Sequence, residues 1–181
     1  MAAEAQTAYD NLDEVRKKIQ AALDAAGYSG AARFEVDERG LVVHIVADQV
    51  LFDAELADLR PEGAAILNSI APTLANLPNQ LAIEGHANHL AVTPGGPWPS
   101  NWELSAYRAT TVVRHLADTG VAQERMSAEG HSSTRPLVSE TDPNAVTINR
   151  RVDIVVLSTA SAEANVLLPG LDAASRQGAT P

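Results

Sequence analysis

Residues Ser100–Leu116 read SNWELSAYRATTVVRHL, and the fold of this stretch decides how the rest of the chain is read. Ser100 with Glu103 three residues later has the spacing of a capping box, which satisfies backbone N–H groups that the first helical turn leaves free. Leu104, Val112, Val113 and Leu116 give a core face and Gly120 supplies a stop, so the stretch predicts an amphipathic helix. At about 100° per residue, Asn101, Ser105 and Arg108 fall within roughly 60° of one another, a polar stripe beside the buried one. Arg108 then has two readings. It is a solvated or structurally paired helix residue, or it is aimed at an anion, which a guanidinium can hold with two parallel hydrogen bonds and a Lys cannot.

Working outward, Ala91–Ser100 contains Pro94, Gly95, Gly96, Pro97 and Pro99, which excludes helix or central strand and predicts a long exposed loop. Before it, Leu81 and Ile83 alternate with Ala82 and Glu84 into Gly85, a strand of period two whose exit, His86 to His89, shares a rim with the helix start. Pro61 suits the first turn of a helix striped by Leu67, Ile70, Leu74 and Leu77, with Pro72 expected to kink or shorten it. Phe34 and Val36, the turn-like Asp37 to Gly40 and the run Leu41 to Val46 form the pattern of a hairpin. Leu12, Val15, Ile19 and Leu23 mark an N-terminal amphipathic helix with a glycine stop.

Downstream, Met126–Gly130 reads as a short strand, Ser132–Asn144 as a polar loop, and Val152, Ile154 and Val156 as the last strand. The order implies an α+β fold: helices packed on one face of a mixed sheet, with an extra N-terminal helix. We divide the chain into a helix or linker region at 1–32, the main domain at 33–157 and a tail at 158–181. The tail, rich in Ala, Ser and Gly with one short apolar patch, reads as disordered.

A length of 181 residues suits one core with extensions. With 13 Lys and Arg against 23 Asp and Glu, the net charge of -10 argues against nucleic-acid or acidic-membrane partners, so any anion site must be local. The absence of Cys removes disulfides, thiolate metal sites and cysteine nucleophiles. No run approaches the roughly 20 apolar residues of a spanning helix.

Five ordered segments, LFDAELADLRPEG, EGHANHL, PSNWELSAYRATTVVRHL, SAEGH and NRRVDIVVL, together resemble the peptidoglycan-binding domain of the OmpA family. The SNWELS and NRRVDIVVL forms are most similar to its MotB branch, the flagellar motor stator subunit, and coverage runs from about Asn11 to Leu157. The resemblance implies a non-enzymatic domain that binds the peptide stem of peptidoglycan and needs no cofactor. It further implies a homodimer, an extracytoplasmic location and a MotA-like membrane partner reached through an upstream membrane helix. In the family an Asp after the GHT-type motif takes the ammonium of diaminopimelate, and the Arg of LSxxRA takes its carboxylate. Carried over, the Arg is Arg108, with Leu104 and Ser105 before it, and Asn149 and Arg150 match an NR pair near the site. Asn101 and His86 join the candidates as rim residues.

The chain departs from the pattern at the acidic position, which is Asn88. An amide cannot neutralise an ammonium, so a charge-assisted bond of roughly 1.5–3 kcal/mol falls towards about 1 kcal/mol. That points to a modified stem, such as one carrying an amidated diamino acid, whose carboxamide Asn88 could pair with. The alternatives are a degenerate scaffold that dimerises without binding the wall, and an envelope tether unrelated to motility. His86 and His89, with His131 as a further candidate, define no metal geometry, and His86 is expected to orient the loop through hydrogen bonds; no nucleophile elbow or phosphate loop appears, so neither metal nor hydrolase chemistry is assigned. Trp98 and Trp102 are expected to close the loop onto the domain. Arg150 and Arg151, as neighbouring strand residues, should point to opposite faces, leaving Arg150 at the site and Arg151 on a surface carboxylate.

Overall fold

The computed structural model describes residues 1–46 and 51–178. Five strands form one sheet in the order β1-β2-β5-β3-β4. They are β1 (Ala32–Asp37), β2 (Gly40–Ile45), β3 (Leu81–His86), β4 (Met126–Gly130) and β5 (Arg151–Leu157). The β1–β2 hairpin, β2–β5 and β5–β3 are antiparallel, whereas β3–β4 is parallel. The hairpin turn is closed by the Asp37 carboxylate, which accepts from the Arg39 N–H at 2.7 Å. Gly40 has a φ of 140°, and a Cβ there would meet the Val156 carbonyl oxygen at 2.1 Å, so only glycine fits.

Helices α1 (Ala2–Ala26), α2 (Pro61–Ala75) and α3 (Asn101–Asp118) supply the second layer. Period two sends Leu41, Val43, Ile45, Ile83, Ile154 and Val156 to the helix side, where they join Leu12, Ile19, Leu67, Leu74, Val112 and Leu116 in one core. Val42, Ala82 and Val155 face the other way in a small separate cluster. The sequence expectation of helices on one face of a mixed sheet therefore holds. The stripe of α1 lies inside the main core, so the extra helix is part of the packed body. Helix α2 starts at Pro61 and runs three residues past Pro72 before it ends. No helix among the described residues is long and apolar enough to cross a membrane.

The expected disorder of the tail is corrected by the structure. Helices α5 (Ala162–Asn165) and α6 (Leu168–Gly178) follow β5, after α4 (Ala145–Asn149) has preceded it. Leu168 enters the core, the buried Asp172 carboxylate accepts from the Val36 N–H at 3.2 Å, and Arg176 donates to the Phe34 carbonyl at 2.7 Å. Glu4 on α1 accepts from both the N–H and the hydroxyl of Ser161. The tail thus covers the edge strand β1, an edge that would otherwise expose unpaired backbone groups. Residues 179–181 lie outside the described residues.

Candidate functional site

Helix α3 approaches the sheet more closely than side chains normally allow, because Gly85 and Gly130 lie beneath it. A Cβ on Gly85 would sit 1.9 Å from the Ser105 carbonyl oxygen, and one on Gly130 would sit 2.6 Å from the Ala106 backbone nitrogen. Ser105 fixes the rotation of the helix: its hydroxyl donates to the Trp102 carbonyl at 3.1 Å and accepts from the Ser132 N–H at 3.0 Å. At the N-terminus the Ser100 hydroxyl accepts from the Trp102 N–H, as a cap should. One turn further on, Arg108 is driven under the 51–60 loop.

Arg108 is 4% exposed. Its Nε donates to the Leu56 carbonyl at 2.7 Å and its Nη2 to the Asp53 carbonyl at 3.0 Å, and the guanidinium lies 5.1 Å from the centroid of the Phe52 ring. These contacts orient the group without neutralising it. Among the described residues no carboxylate forms an ion pair with it, and Nη1 makes no hydrogen bond. Burial first, and then repulsion from Arg150, push its pKa down to about 10, with Glu55 opposing weakly, so it is a cation at neutral pH. A buried charge without a counter-charge is costly, and an anion arriving at Nη1 would relieve that cost.

The space in front of Arg108 is a cavity of about 190 Å³ walled by Ala54, Glu55, Asn88, Asn101, Leu104 and Arg150. That volume suits the end of one side chain rather than a whole small-molecule ligand. Asn101 donates to the Leu90 carbonyl at 2.9 Å and pins the loop that rims the cavity. Asn88 has both polar atoms engaged: Oδ1 accepts from the Leu90 N–H and Nδ2 donates to the Val146 carbonyl. Its amide is therefore a brace between the β3 exit and α4. The acid at this cavity is Glu55, a residue that sequence reading missed. Its backbone has a φ of 56°, a strained value for a non-glycine residue, and its carboxylate accepts from the Thr93 N–H and hydroxyl. Those bonds hold the Glu55 carboxyl below the usual carboxylate range. The one signal in the sequence is its place in LFDAELADLRPEG.

A buried arginine facing a side-chain-sized cavity, on a helix laid over two strand exits, can be compared with known proteins. The family model described as "OmpA family" matches residues 51–150. The chain belongs to the OmpA family. Within it the domain falls in the MotB branch: it is 31% identical over 135 residues to motility protein B of Escherichia coli K12, covering 73% of this chain and 43% of that one. The peptidoglycan-binding protein ArfA of Mycobacterium tuberculosis is 31% identical over 121 residues, 66% of this chain and 36% of ArfA. The chain thus spans less than half the length of either relative. A crystal structure described as a MotB-like protein of Desulfovibrio vulgaris shares the fold, with a TM-score of 0.77 and 21% identity over 85% of this chain and 98% of that one. As an OmpA-family domain of this branch the chain is a scaffold, not an enzyme.

Five of the eight expected site residues line the OmpA-domain cavity: Asn88, Asn101, Leu104, Arg108 and Arg150. Three do not. Ser105 is spent on the helix-to-sheet brace described above. Asn149 is 1% exposed, and its amide accepts from the Leu137 and Val138 N–H groups and donates back to the Val138 carbonyl, shaping the preceding loop. His86 leaves the sheet on the opposite face, because Gly85 before it takes the helix side. Arg150 reaches the cavity because it caps α4 and precedes β5, rather than by strand alternation. Arg151 is not on a surface acid as expected; it is 7% exposed and its Nε bonds the buried Asp153 carboxylate at 3.0 Å.

Trp98 closes its loop as expected, donating to the Glu55 carbonyl at 2.7 Å and packing 5.3 Å from the Tyr107 ring. Trp102 does not, being 52% exposed. The hollow beside it, about 770 Å³ and lined by residues 91–102, is larger than the Arg108 cavity but holds no buried charge, which is why the smaller one is taken as the site.

The far face of the sheet carries a network of buried charges. His44 Nδ1 lies 2.7 Å from Asp153 Oδ1, and its Nε2 lies 3.3 Å from Glu35. Burial alone would lower the His44 pKa, but the bond to Asp153 and the nearby Glu35 carboxylate outweigh it and push it up to about 9. Burial would likewise raise the Asp153 pKa, yet the bond from His44, the proximity of His86 and the Arg151 charge hold it far below the usual range. Arg39 reaches from the hairpin to the buried Glu84.

Proposed function

We propose that this domain binds the peptide stem of peptidoglycan non-covalently and anchors a MotB-like stator subunit to the cell wall. The observation that carries the reading is Arg108: a buried cation with no carboxylate in an ion pair among the described residues, presented to a cavity that admits one side-chain end. Arg108, with Arg150 beside it, holds the free carboxylate of the stem's diamino acid. Glu55 takes the ammonium that Asn88 cannot neutralise. A zwitterionic end group then meets opposite charges at the two ends of one cavity, with Leu104 and Ala54 packing against its methylenes. An unmodified stem, whose free carboxylate can meet the Arg108 charge, fits this arrangement better than one with an amidated carboxylate.

The names of the relatives, a motility protein and a peptidoglycan-binding protein, support wall anchoring in an extracytoplasmic compartment. Homodimerisation, a MotA-like membrane partner and torque transmission belong to the same proposal. Co-sedimentation with purified sacculi tests it. The wild-type chain is expected to pellet with the wall and Arg108→Ala to stay in solution, with no muropeptides released by either. Equal pelleting of the two would remove Arg108 from the binding site.

A further inference from the structure

The strand that leads into the Arg108 cavity carries a second cluster on its other face. Glu84 and His86 are two apart on β3 and so point the same way, and His131, the first residue after β4, joins them. One ligand atom from each of the three lies within 4.8 Å of the others. Glu84 Oε2 is 3.6 Å from His86 Nε2 and 3.4 Å from His131 Nε2, and the two rings stack with centroids 5.1 Å apart. None of these contacts is a hydrogen bond. His86 is 3% exposed and neither of its ring nitrogens has a hydrogen-bond partner, nor does His131 Nε2. Asp153 Oδ2 comes within 3.2 Å of His86 Nε2, close enough to interact electrostatically but out of line for a hydrogen bond. Buried imidazole nitrogens are almost always satisfied, so two neighbouring rings with unpaired nitrogens converging on one carboxylate oxygen call for an explanation.

We propose that Glu84, His86 and His131 form a binding site for a divalent transition-metal ion, with zinc the best match. Two imidazole nitrogens and one carboxylate oxygen are a donor set that zinc accepts, whereas calcium and magnesium favour oxygen ligands alone. The two spacings from the Glu84 oxygen to the imidazole nitrogens fit as well. Bonds of roughly 2.0–2.1 Å at tetrahedral angles place ligand atoms about 3.3 Å apart, near the 3.4 and 3.6 Å found here and unlike the separation of a hydrogen-bonded pair. Arg39 engages the other Glu84 oxygen, Oε1, and so holds Oε2 towards the rings, the kind of outer contact that orients a metal-binding carboxylate. The ion would clamp β3 to the exit of the edge strand β4, where His131 N–H already donates to the Gly85 carbonyl and Ala87 N–H to the Ser132 carbonyl. Asn88 and the anion cavity begin one residue further on, so the clamp would stiffen the floor of that cavity from behind. The site does not depend on what the cavity binds.

The test is zinc uptake by the full chain after stripping with a chelator. Calorimetry with zinc chloride is expected to show saturable binding of about one ion per chain, lost in His131→Gln and kept in His89→Gln, the exposed histidine nearby. Imidazole nitrogen NMR of the wild-type chain gives the same answer without a variant: zinc should shift the His86 and His131 ring signals and leave His89 and His115 in place. Absence of saturable uptake, uptake unchanged in His131→Gln, or ring shifts confined to His89 and His115 would each overturn the proposal.

Discussion

Two regions of buried charge lie back to back at the open end of β3, and they are built on opposite principles. On the far face the Asp153 carboxylate is bonded by His44 and Arg151, so its negative charge is compensated within the fold. On the helix face Arg108 is as deeply buried and has carbonyl oxygens for partners, a like charge for a neighbour and no carboxylate in an ion pair among the described residues. The pairing of Asp153 is complete within the fold. On the proposed function that of Arg108 is completed by an arriving anion, and that distinction would separate a structural network from a ligand site.

The largest expected effect is on the compensated side. Asp153→Asn leaves His44 and Arg151 without their shared anion and should destabilise the domain by about 3–5 kcal/mol in urea unfolding. Arg108→Ala should do the reverse: lose roughly a hundredfold in affinity for stem peptide, about 2.7 kcal/mol, while stability changes by less than about 2 kcal/mol. The two lost bonds to Leu56 and Asp53 are offset there by removal of an uncompensated charge. If Arg108→Ala unfolded the domain and Asp153→Asn did not, the contrast would be inverted.

The pH dependence should divide in the same way. His44 has its folded pKa raised to about 9, so its contribution is fully present below about pH 6.5 and is lost as pH rises through about 9. At about 1.4 kcal/mol per pKa unit this is at most roughly 3.5 kcal/mol, and a flat unfolding profile for His44→Gln over that window would confirm its source. Arg108 has its folded pKa lowered to about 10, so the fold gains stability as pH passes that value, the opposite slope. Smallest of all, Glu55→Gln should weaken stem binding only a few-fold, because its carboxylate is exposed to water and screened. A loss as large as that of Arg108→Ala would mean that the ammonium, and not the carboxylate, dominates recognition.

Much of this was legible in the sequence. The hairpin pattern of Phe34–Val46, the alternation at Leu81–Gly85 and Val152–Val156, the short Met126–Gly130 segment, the stripes of α1, α2 and α3 and the cap at Ser100 are local signals, and the five strands and the helical face follow from them. Arg108 was legible because its helical phase and the LSxxRA resemblance agree. What was hidden depends on distant partners. The tail looks disordered because its few apolar residues cannot order it, and its anchors, Asp172 to Val36 and Glu4 to Ser161, span well over a hundred residues. Glu55 was hidden because nothing in the sequence announces that its loop folds over α3. His86 seemed part of the rim, but strand alternation puts it on the face opposite Arg108.

The most direct measurement is an NMR titration of the nitrogen-labelled domain with a stem peptide bearing unmodified diaminopimelate, with its amidated counterpart run alongside. The expected result is a saturable shift of the Arg108 side-chain signal and of the Asn88 amide with the free carboxylate, much weaker with the amidated peptide and absent in Arg108→Ala. Equal shifts with both peptides, or none at Arg108, would contradict the claim that this buried, uncompensated arginine is the anion-binding centre of the domain.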